Sequence, residues 1–234
     1  LFSGSVAGDG AATMDFALIA ILVSVFLAPG LVLLDQRNSR ALLMLLALSL
    51  GLSYLAVCRR VAMIYDENNW MENTQVVILL TSCLTFALAA SVLRSRDRAL
   101  ALFLSVLCFI FSFREVDVDE LQVAGWLIFL LAEEGRAVFF VGALIPLVGL
   151  LRNFRHFREH LGLYLRSSIG IYLLKAAFLL IVLSGAFEKN IFGSSFHVFA
   201  EELSEFLAYG LLFLTSLDLV RALGEIERKV SAGN

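Results

Sequence analysis

Carboxylate side chains gather in four short segments of the sequence, each directly beside an apolar run. The segments are 65–75 (YDENNWMENTQ), 113–121 (FREVDVDEL), 132–136 (AEEGR) and 196–209 (FHVFAEELSEFLAY). Ionisable groups next to apolar helices are costly unless they are paired, and inside a membrane they are candidates for function. The candidate ligand-binding or ion-binding residues in these segments are Glu67, Glu72, Glu115, Glu134, His197, Glu201 and Glu205.

The last of these segments has a spacing that suits a metal ion. His197, Glu201 and Glu205 are four residues apart, so they share one face of a helix. An imidazole and carboxylates can hold a divalent cation, with further oxygens from the other three segments completing its shell. The sequence therefore makes His197, Glu201 and Glu205 candidate metal ligands, although no HExxH spacing accompanies them.

Arginines in the same layer offer a second interpretation of the carboxylates. Arg59, Arg60, Arg114 and Arg136 each lie near acidic residues in sequence. Ion pairs that join helix ends would explain much of the pattern without a ligand. Catalysis by the cluster is a third interpretation, and the sequence leaves all three open.

A further pair of charges lies within predicted membrane spans. Lys175 is seven residues into one apolar run, and Asp218 lies in another. The lysine can extend its ammonium to the headgroups or pair with Asp218, and both interpretations give it a structural role. The alternative is a functional role in a proton relay.

The composition places most of this chain in lipid. Of 234 residues, 60% are hydrophobic and only 17% are charged, and the mean hydropathy is +0.87. A soluble domain carries about 45–50% apolar and about 25% charged residues. No basic stretch is interleaved with exposed aromatics, so nucleic acid is not an expected partner. The three cysteines form no CxxC pair and indicate neither a disulfide framework nor a thiolate metal site.

The apolar runs predict an all-α polytopic helix bundle of about seven transmembrane helices. Crossing the hydrocarbon core takes about 20 helical residues. Residues 1–13 are small and flexible and are set aside as an N-terminal segment or linker, which leaves 14–234 as a single helical domain. The runs lie near 16–34, 41–58, 75–93, 99–113, 137–151, 169–187 and 203–220.

The basic residues predict the orientation of these spans. If the chain alternates sides, one set of connections holds twelve basic and six acidic residues, and the other holds five basic and thirteen acidic residues. The positive-inside rule assigns the first set to the cytoplasm. Seven spans then place the N-terminus outside and the C-terminus inside, with the carboxylate cluster on the outer side.

Two segments do not fit simple spans. The run 152–166 (RNFRHFREHLGLYLR) alternates Arg and His with Phe and Leu. This pattern is typical of an amphipathic helix that rests on anionic lipid, here at the cytoplasmic face through Arg152, Arg155 and Arg158. Residues 121–132 are apolar but too short to cross, and predict either a re-entrant piece or the start of one tilted helix over 121–151.

Three short motifs resemble a set of uncharacterised bacterial inner-membrane proteins. They are Glu67-Asn68-Asn69-Trp70-Met71-Glu72, Phe113-Arg114-Glu115-Val116-Asp117 and Glu201-Glu202-Leu203-Ser204-Glu205. The resemblance implies a multi-pass protein of the bacterial inner membrane and no known activity. Glu72-Asn73-Thr74 also resembles a motif of the alkaline ceramidases, membrane zinc hydrolases that use three His ligands, whereas two of this chain's three His lie on the predicted inner side.

These observations lead to two function hypotheses. The first is a non-enzymatic membrane protein whose outer carboxylates bind a cation or a basic or polar partner, as a small transporter or an accessory subunit. The alternative is a membrane-embedded, metal-dependent hydrolase that acts on a lipid or lipid-linked substrate. The expected cofactor is at most a divalent cation, and the expected partners are the bilayer and a protein partner or a second copy of the chain.

Overall fold

The chain is helical throughout the part that the structure describes. The computed structural model describes residues 16–17, 19–22, 24, 36–61, 70–93, 95–114 and 133–232. Nearly all residues in these ranges are helical, and no strand occurs in them. In lipid the backbone must bond to itself, and a helix does this within one segment. The all-α prediction is confirmed.

The helices coincide closely with the predicted apolar runs. Residues 16–17, 19–22 and 24 are helical and fall in the first run. Each later run lies within one helix to within a residue, and an amphipathic helix follows the run at 137–151. The helices are α1 (Gln36–Cys58), α2 (Trp70–Val92), α3 (Ser95–Arg114), α4 (Glu133–Arg152), α5 (Phe154–Arg166), α6 (Ser168–Glu188) and α7 (His197–Ala232).

Four of these helices are long and apolar enough to cross a membrane. They are α1, α2, α6 and the part of α7 from His197 to Arg221, with lengths of 21–25 residues. At about 1.5 Å per residue each exceeds the roughly 30 Å of a bilayer's hydrocarbon core. The chain is therefore membrane-embedded, while the full count of seven spans stays a prediction.

The two short apolar runs continue into charged residues at their predicted outer ends. The 99–113 run lies in α3, which ends at Arg114, and the 137–151 run lies in α4, which begins at Glu133. Both helices have 20 residues, about 30 Å of helix. The residues between them, including the 121–132 segment, lie outside the described residues, and so do 62–69.

Two helices contain π-helical turns. Tyr54–Cys58 ends α1, and Leu179–Ser184 lies within α6, followed by a last α-helical turn at Gly185–Glu188. A π turn holds one more residue than an α turn, so it shifts the side chains that follow around the helix axis. Such turns are rare and frequently occur at functional sites.

The chain divides into two compact units. One contains 1–72 and 174–210, and the other contains 73–173 and 211–234. The prediction of a single domain over 14–234 is not tested by this division. In the first unit, Gly210 of α7 lets the helix approach α1, where an added Cβ would lie 3.0 Å from Leu45 Cδ1.

In the second unit α3 packs against α4 through small and aromatic residues. A Cβ at Gly149 would lie 3.3 Å from Ala99 Cβ, so the glycine permits a close approach of the two helices. Phe109 and Phe113 of α3 pack against the ring of Phe139 of α4, with centroids 5.4 and 5.5 Å away. Small residues at one end and aromatic rings at the other join this helix pair.

Burial is unevenly distributed among the four membrane-length helices. Over an apolar 18-residue window of each helix, 72% of α7 is buried, whereas only 28–33% of α1, α2 and α6 is buried. Most hydroxyl groups in these helices bond to a carbonyl one turn earlier, as in Ser53 to Ser49, Ser82 to Ile78 and Ser204 to Ala200. Because these hydroxyls find their acceptors in their own helices, they add no unsatisfied group to the apolar segments.

Candidate functional site

The structure describes only part of the predicted carboxylate cluster. Glu67 and Glu115 lie outside the described residues. Glu134 lies in the first turn of α4, where the backbone alone is described, and Glu72 lies half-buried in the first turn of α2. The remaining three candidates, His197, Glu201 and Glu205, all lie near the start of α7.

Glu205 is the most deeply buried of these candidates. Its exposure is 2%, and that of Ser184 in α6 is 5%. The hydroxyl of Ser184 donates a hydrogen bond of 2.7 Å to Glu205 Oε1. Bonds from a hydroxyl to a carboxylate are typically about 2.5–2.7 Å long and stronger than neutral ones. The two helices are therefore joined by a buried polar contact inside membrane-length segments.

The local structure explains how these two side chains meet. Ser184 ends the π turn of α6, and its hydroxyl bonds across to α7 rather than to a carbonyl of its own helix. Glu205 follows two helical turns of α7, beyond the buried Phe199, Ala200 and Leu203. A small, mostly apolar cavity is lined by neighbours of these residues in sequence, including Leu183 and Ser204, but not by Ser184 or Glu205.

The start of α7 is held by a short polar turn. Asn190 and Gly193 adopt positive φ angles of 47° and 64°, a region that favours glycine and tolerates asparagine. The buried Ser194 accepts a hydrogen bond of 3.1 Å from the Phe196 amide, and its carbonyl lies 3.3 Å from His197 Nδ1. The imidazole is therefore engaged with the turn that begins the helix.

The metal site predicted at His197, Glu201 and Glu205 stays a prediction, and it requires further oxygen ligands from the other carboxylate segments. Among the described residues, no group of three or more His, Cys, Asp or Glu is placed to hold a metal ion. The physical reason is the helix rise, because eight residues separate His197 from Glu205 by about 12 Å along the axis. Metal–ligand distances are only about 2.0–2.6 Å. A metal site that includes Glu67 or Glu115 stays a prediction.

The predicted intramembrane charges have different surroundings. Asp218 is buried in α7, and its Oδ1 lies 3.3 Å from Nη1 of Arg221, one turn further along the same helix. Lys175 is half-buried in α6. Sequence reasoning did not single out Arg221, although its i,i+3 spacing from Asp218 is the usual signal for a helical ion pair.

The ion-pair interpretation of the outer carboxylates is also still a prediction. Arg59, Arg60 and Arg114 are exposed, and the side chain of Arg136 is not described. Within the described part of the chain, the ion pairs Arg155–Glu159 and Asp218–Arg221 lie elsewhere and do not test this interpretation.

Ser184 is the functional candidate that sequence reasoning missed. It is one serine within an apolar run, and such serines usually bond to their own helix, as Ser53, Ser82 and Ser204 do. No spacing or motif distinguishes it in the sequence. The signal is tertiary, since only the packing of α6 against α7 brings its hydroxyl to Glu205.

The pair can supply two oxygen ligands in the interior of the protein. A carboxyl group buried in this way costs several kcal/mol unless donors, a proton or a cation neutralise its charge. Ser184 Oγ and Glu205 Oε1 together present a carboxyl and a hydroxyl oxygen, the ligand types that hard cations prefer. No protein-family model, curated protein or solved structure matches this chain, so the inference of function rests on the geometry of this pair.

Proposed function

We propose that this chain is a multi-pass protein of the bacterial inner membrane, with seven spans, the N-terminus outside and the C-terminus in the cytoplasm. The segregation of basic residues supports it, with twelve on the predicted inner side and five on the outer side. The agreement of α1–α4, α6 and α7 with the predicted apolar runs supports the positions of six spans.

Cysteine accessibility tests this orientation. In a background with Cys58, Cys83 and Cys108 replaced by alanine, Glu159→Cys is expected to react only from the cytoplasmic side. Ser195→Cys is expected to react only from the outside, because α6 separates the two positions and both residues are exposed. Labelling of both positions from one side in intact cells would contradict the proposed topology.

The function that we propose is cation binding at the start of α7, centred on Glu205, in a small transporter or an accessory subunit of a membrane complex. The observation that carries it is the 2.7 Å contact between Ser184 Oγ and Glu205 Oε1, with both side chains buried. Intramembrane carboxylates of this kind are rare and frequently belong to ion or proton pathways.

A second carboxylate on the same face supports this proposal. Glu201 lies one helical turn before Glu205 and is half-buried, so exposure falls from Glu201 to Glu205. The two positions are about 6 Å apart along the axis. The nearby cavity is too small for an organic ligand.

A melting-temperature titration tests the proposed cation site. Purified protein in detergent would be titrated with Na⁺, K⁺, Mg²⁺, Ca²⁺, Mn²⁺ and Zn²⁺, each as chloride. A cation at a hundredfold excess over its dissociation constant stabilises the folded state by about 2.7 kcal/mol. For a chain of this size that corresponds to a rise in Tm of about 5–10 °C. We expect one cation to produce this rise in the wild type.

Matched glutamine variants identify the ligand. Glu205→Gln is expected to abolish the rise, because the amide keeps the shape of the side chain and removes its charge. Glu159→Gln removes an exposed carboxylate from α5 and is expected to leave the rise intact. A flat response to every cation in the wild type, or an equal rise in Glu205→Gln, would show that Glu205 is not a cation ligand.

A further inference from the structure

The helix α5 is too short and too charged to cross the membrane, yet it joins helices that belong there. It has 13 residues, about 20 Å of helix, whereas the hydrocarbon core is about 30 Å thick. Single residues separate it from its neighbours, with Asn153 after α4 and Ser167 before α6. Its position along the chain therefore keeps it at the membrane surface.

Both junctions are held by polar side chains. Asn153 Nδ2 donates a hydrogen bond of 2.9 Å to the carbonyl of Gly149 at the end of α4. Ser167 Oγ accepts a hydrogen bond of 3.1 Å from the amide of Gly170 in the first turn of α6. An amide and a hydroxyl thus satisfy backbone groups where each helix ends or begins, so α5 is a separate element with defined ends.

One face of α5 is apolar and exposed. Phe154, Leu161 and Leu165 are separated by seven and four residues, which places them on one side of the helix, and all three are exposed. Large apolar side chains in a row on one face are typical of a helix that lies in the lipid interface. Burial in the outer part of the acyl layer would remove this surface from water.

Basic residues lie beside and on the edge of the apolar face, because Arg158 follows Phe154 by four residues. Arg155 and Arg158 of α5 are exposed, as are Arg152 at the end of α4 and Arg166 at the end of α5. Glu159 is the single acidic residue in 152–166, so four arginines against one glutamate leave a net charge of +3 with His neutral. Arg155 Nε contacts Glu159 Oε1 at 2.9 Å, and this exposed pair contributes little stability. The charge of the segment is therefore available to anions.

We propose that α5 lies in the headgroup layer and binds the phosphates of anionic phospholipids through Arg152, Arg155 and Arg158, with Phe154, Leu161 and Leu165 in the acyl boundary. Guanidinium groups bind phosphate in a bidentate manner. The occupant is lipid because α5 runs directly into α4 and into the membrane-length α6. This proposal is independent of the cation site at Glu205.

A lipid titration tests the proposal on the full chain. Purified protein in mixed micelles would be titrated with phosphatidylglycerol, with phosphatidylcholine and with glycerol 3-phosphate, and Tm recorded. Phosphatidylglycerol alone is expected to raise the Tm of the wild type, and the rise is expected to weaken in high salt. Each arginine near an anionic surface contributes about a fivefold gain in binding, so Arg155→Gln/Arg158→Gln is expected to need roughly 25-fold more phosphatidylglycerol.

The control variant is Arg59→Gln/Arg60→Gln, which removes two exposed arginines at the end of α1. It is expected to respond to phosphatidylglycerol as the wild type does. An equal loss in the control would mean that only overall charge matters and would overturn the proposal. Stabilisation by glycerol 3-phosphate to the same extent, indicating a site for soluble anions, would overturn it as well, and so would the absence of any lipid response.

If Arg155→Gln/Arg158→Gln does not fold, the depth of α5 in the bilayer can be measured instead. A fluorophore on Leu161→Cys, in the cysteine-free background and in phosphatidylglycerol vesicles, is expected to emit as in an apolar medium and to resist quenching by aqueous iodide. The same fluorophore on Arg155→Cys is expected to be quenched strongly. Equal quenching at the two positions would show that α5 does not insert its apolar face.

Discussion

Replacing Ser184 with alanine is expected to lower the free energy of unfolding by about 1.5–3 kcal/mol, the range for a hydrogen bond to a charged group. The substitution removes the donor that lies 2.7 Å from Glu205 Oε1 and leaves that buried oxygen without this bond. Unfolding of purified protein in mixed micelles by increasing denaturing detergent would measure the change. Ser91, an exposed serine that bonds to the carbonyl of Leu88 in its own helix, gives a matched control as Ser91→Ala.

A double-mutant cycle separates the contact from general packing. Glu205→Met removes the carboxyl group, so adding Ser184→Ala to it is expected to cost much less than Ser184→Ala alone. The expected coupling energy is about 1–3 kcal/mol. Strictly additive losses would show that the two side chains do not stabilise each other, and would also remove the observation on which the proposed cation site rests.

Replacing Phe86 with alanine is expected to cost about 3–5 kcal/mol of unfolding free energy, the largest loss that we anticipate for a single substitution. Phe86 lies in the middle of α2 with an exposure of 0%. The loss arises because the removed ring leaves a cavity that packed neighbours fill only in part. The same detergent unfolding measurement would report it, with far-UV circular dichroism to confirm that the variant folds.

The control is Leu84→Ala, two residues away in the same helix, where the side chain is 66% exposed. In a membrane this side chain faces lipid, which is as apolar as leucine, so folding gains little from it. We expect a change within about 0.5 kcal/mol, as for substitutions away from packed sites. A loss at Leu84 as large as that at Phe86 would mean that this face of α2 is covered by protein.

The positions of the helices follow from the sequence because they depend on local composition. An apolar run of about 20 residues without many charges can satisfy its backbone in lipid only as a helix. The runs at 41–58 and 169–187 therefore lie within α1 and α6. Similarly, the alternation of Arg and His with Phe and Leu in 152–166 predicts an amphipathic helix from spacing alone, and α5 spans 154–166.

The arrangement of the candidate site depends on contacts that the sequence does not encode locally. Equal spacing put His197, Glu201 and Glu205 on one face of α7, but spacing says nothing about how deeply each residue is buried. The structure places Glu205 in the interior and His197 against the turn before the helix, and it brings in Ser184 from 21 residues earlier.

By itself, the sequence determined that this is an all-helical membrane protein with carboxylates near the ends of its helices. In lipid a helix satisfies the backbone hydrogen bonds within one segment, and charged side chains are costly inside the hydrocarbon core. Tertiary packing alone decided which carboxylate became a buried, hydrogen-bonded group. A π turn displaces Ser184 around the axis of α6, and the packing of α6 against α7 aligns its hydroxyl with Glu205. A shift of one residue in either helix turns a side chain by about 100°, so this contact exists only in the assembled fold.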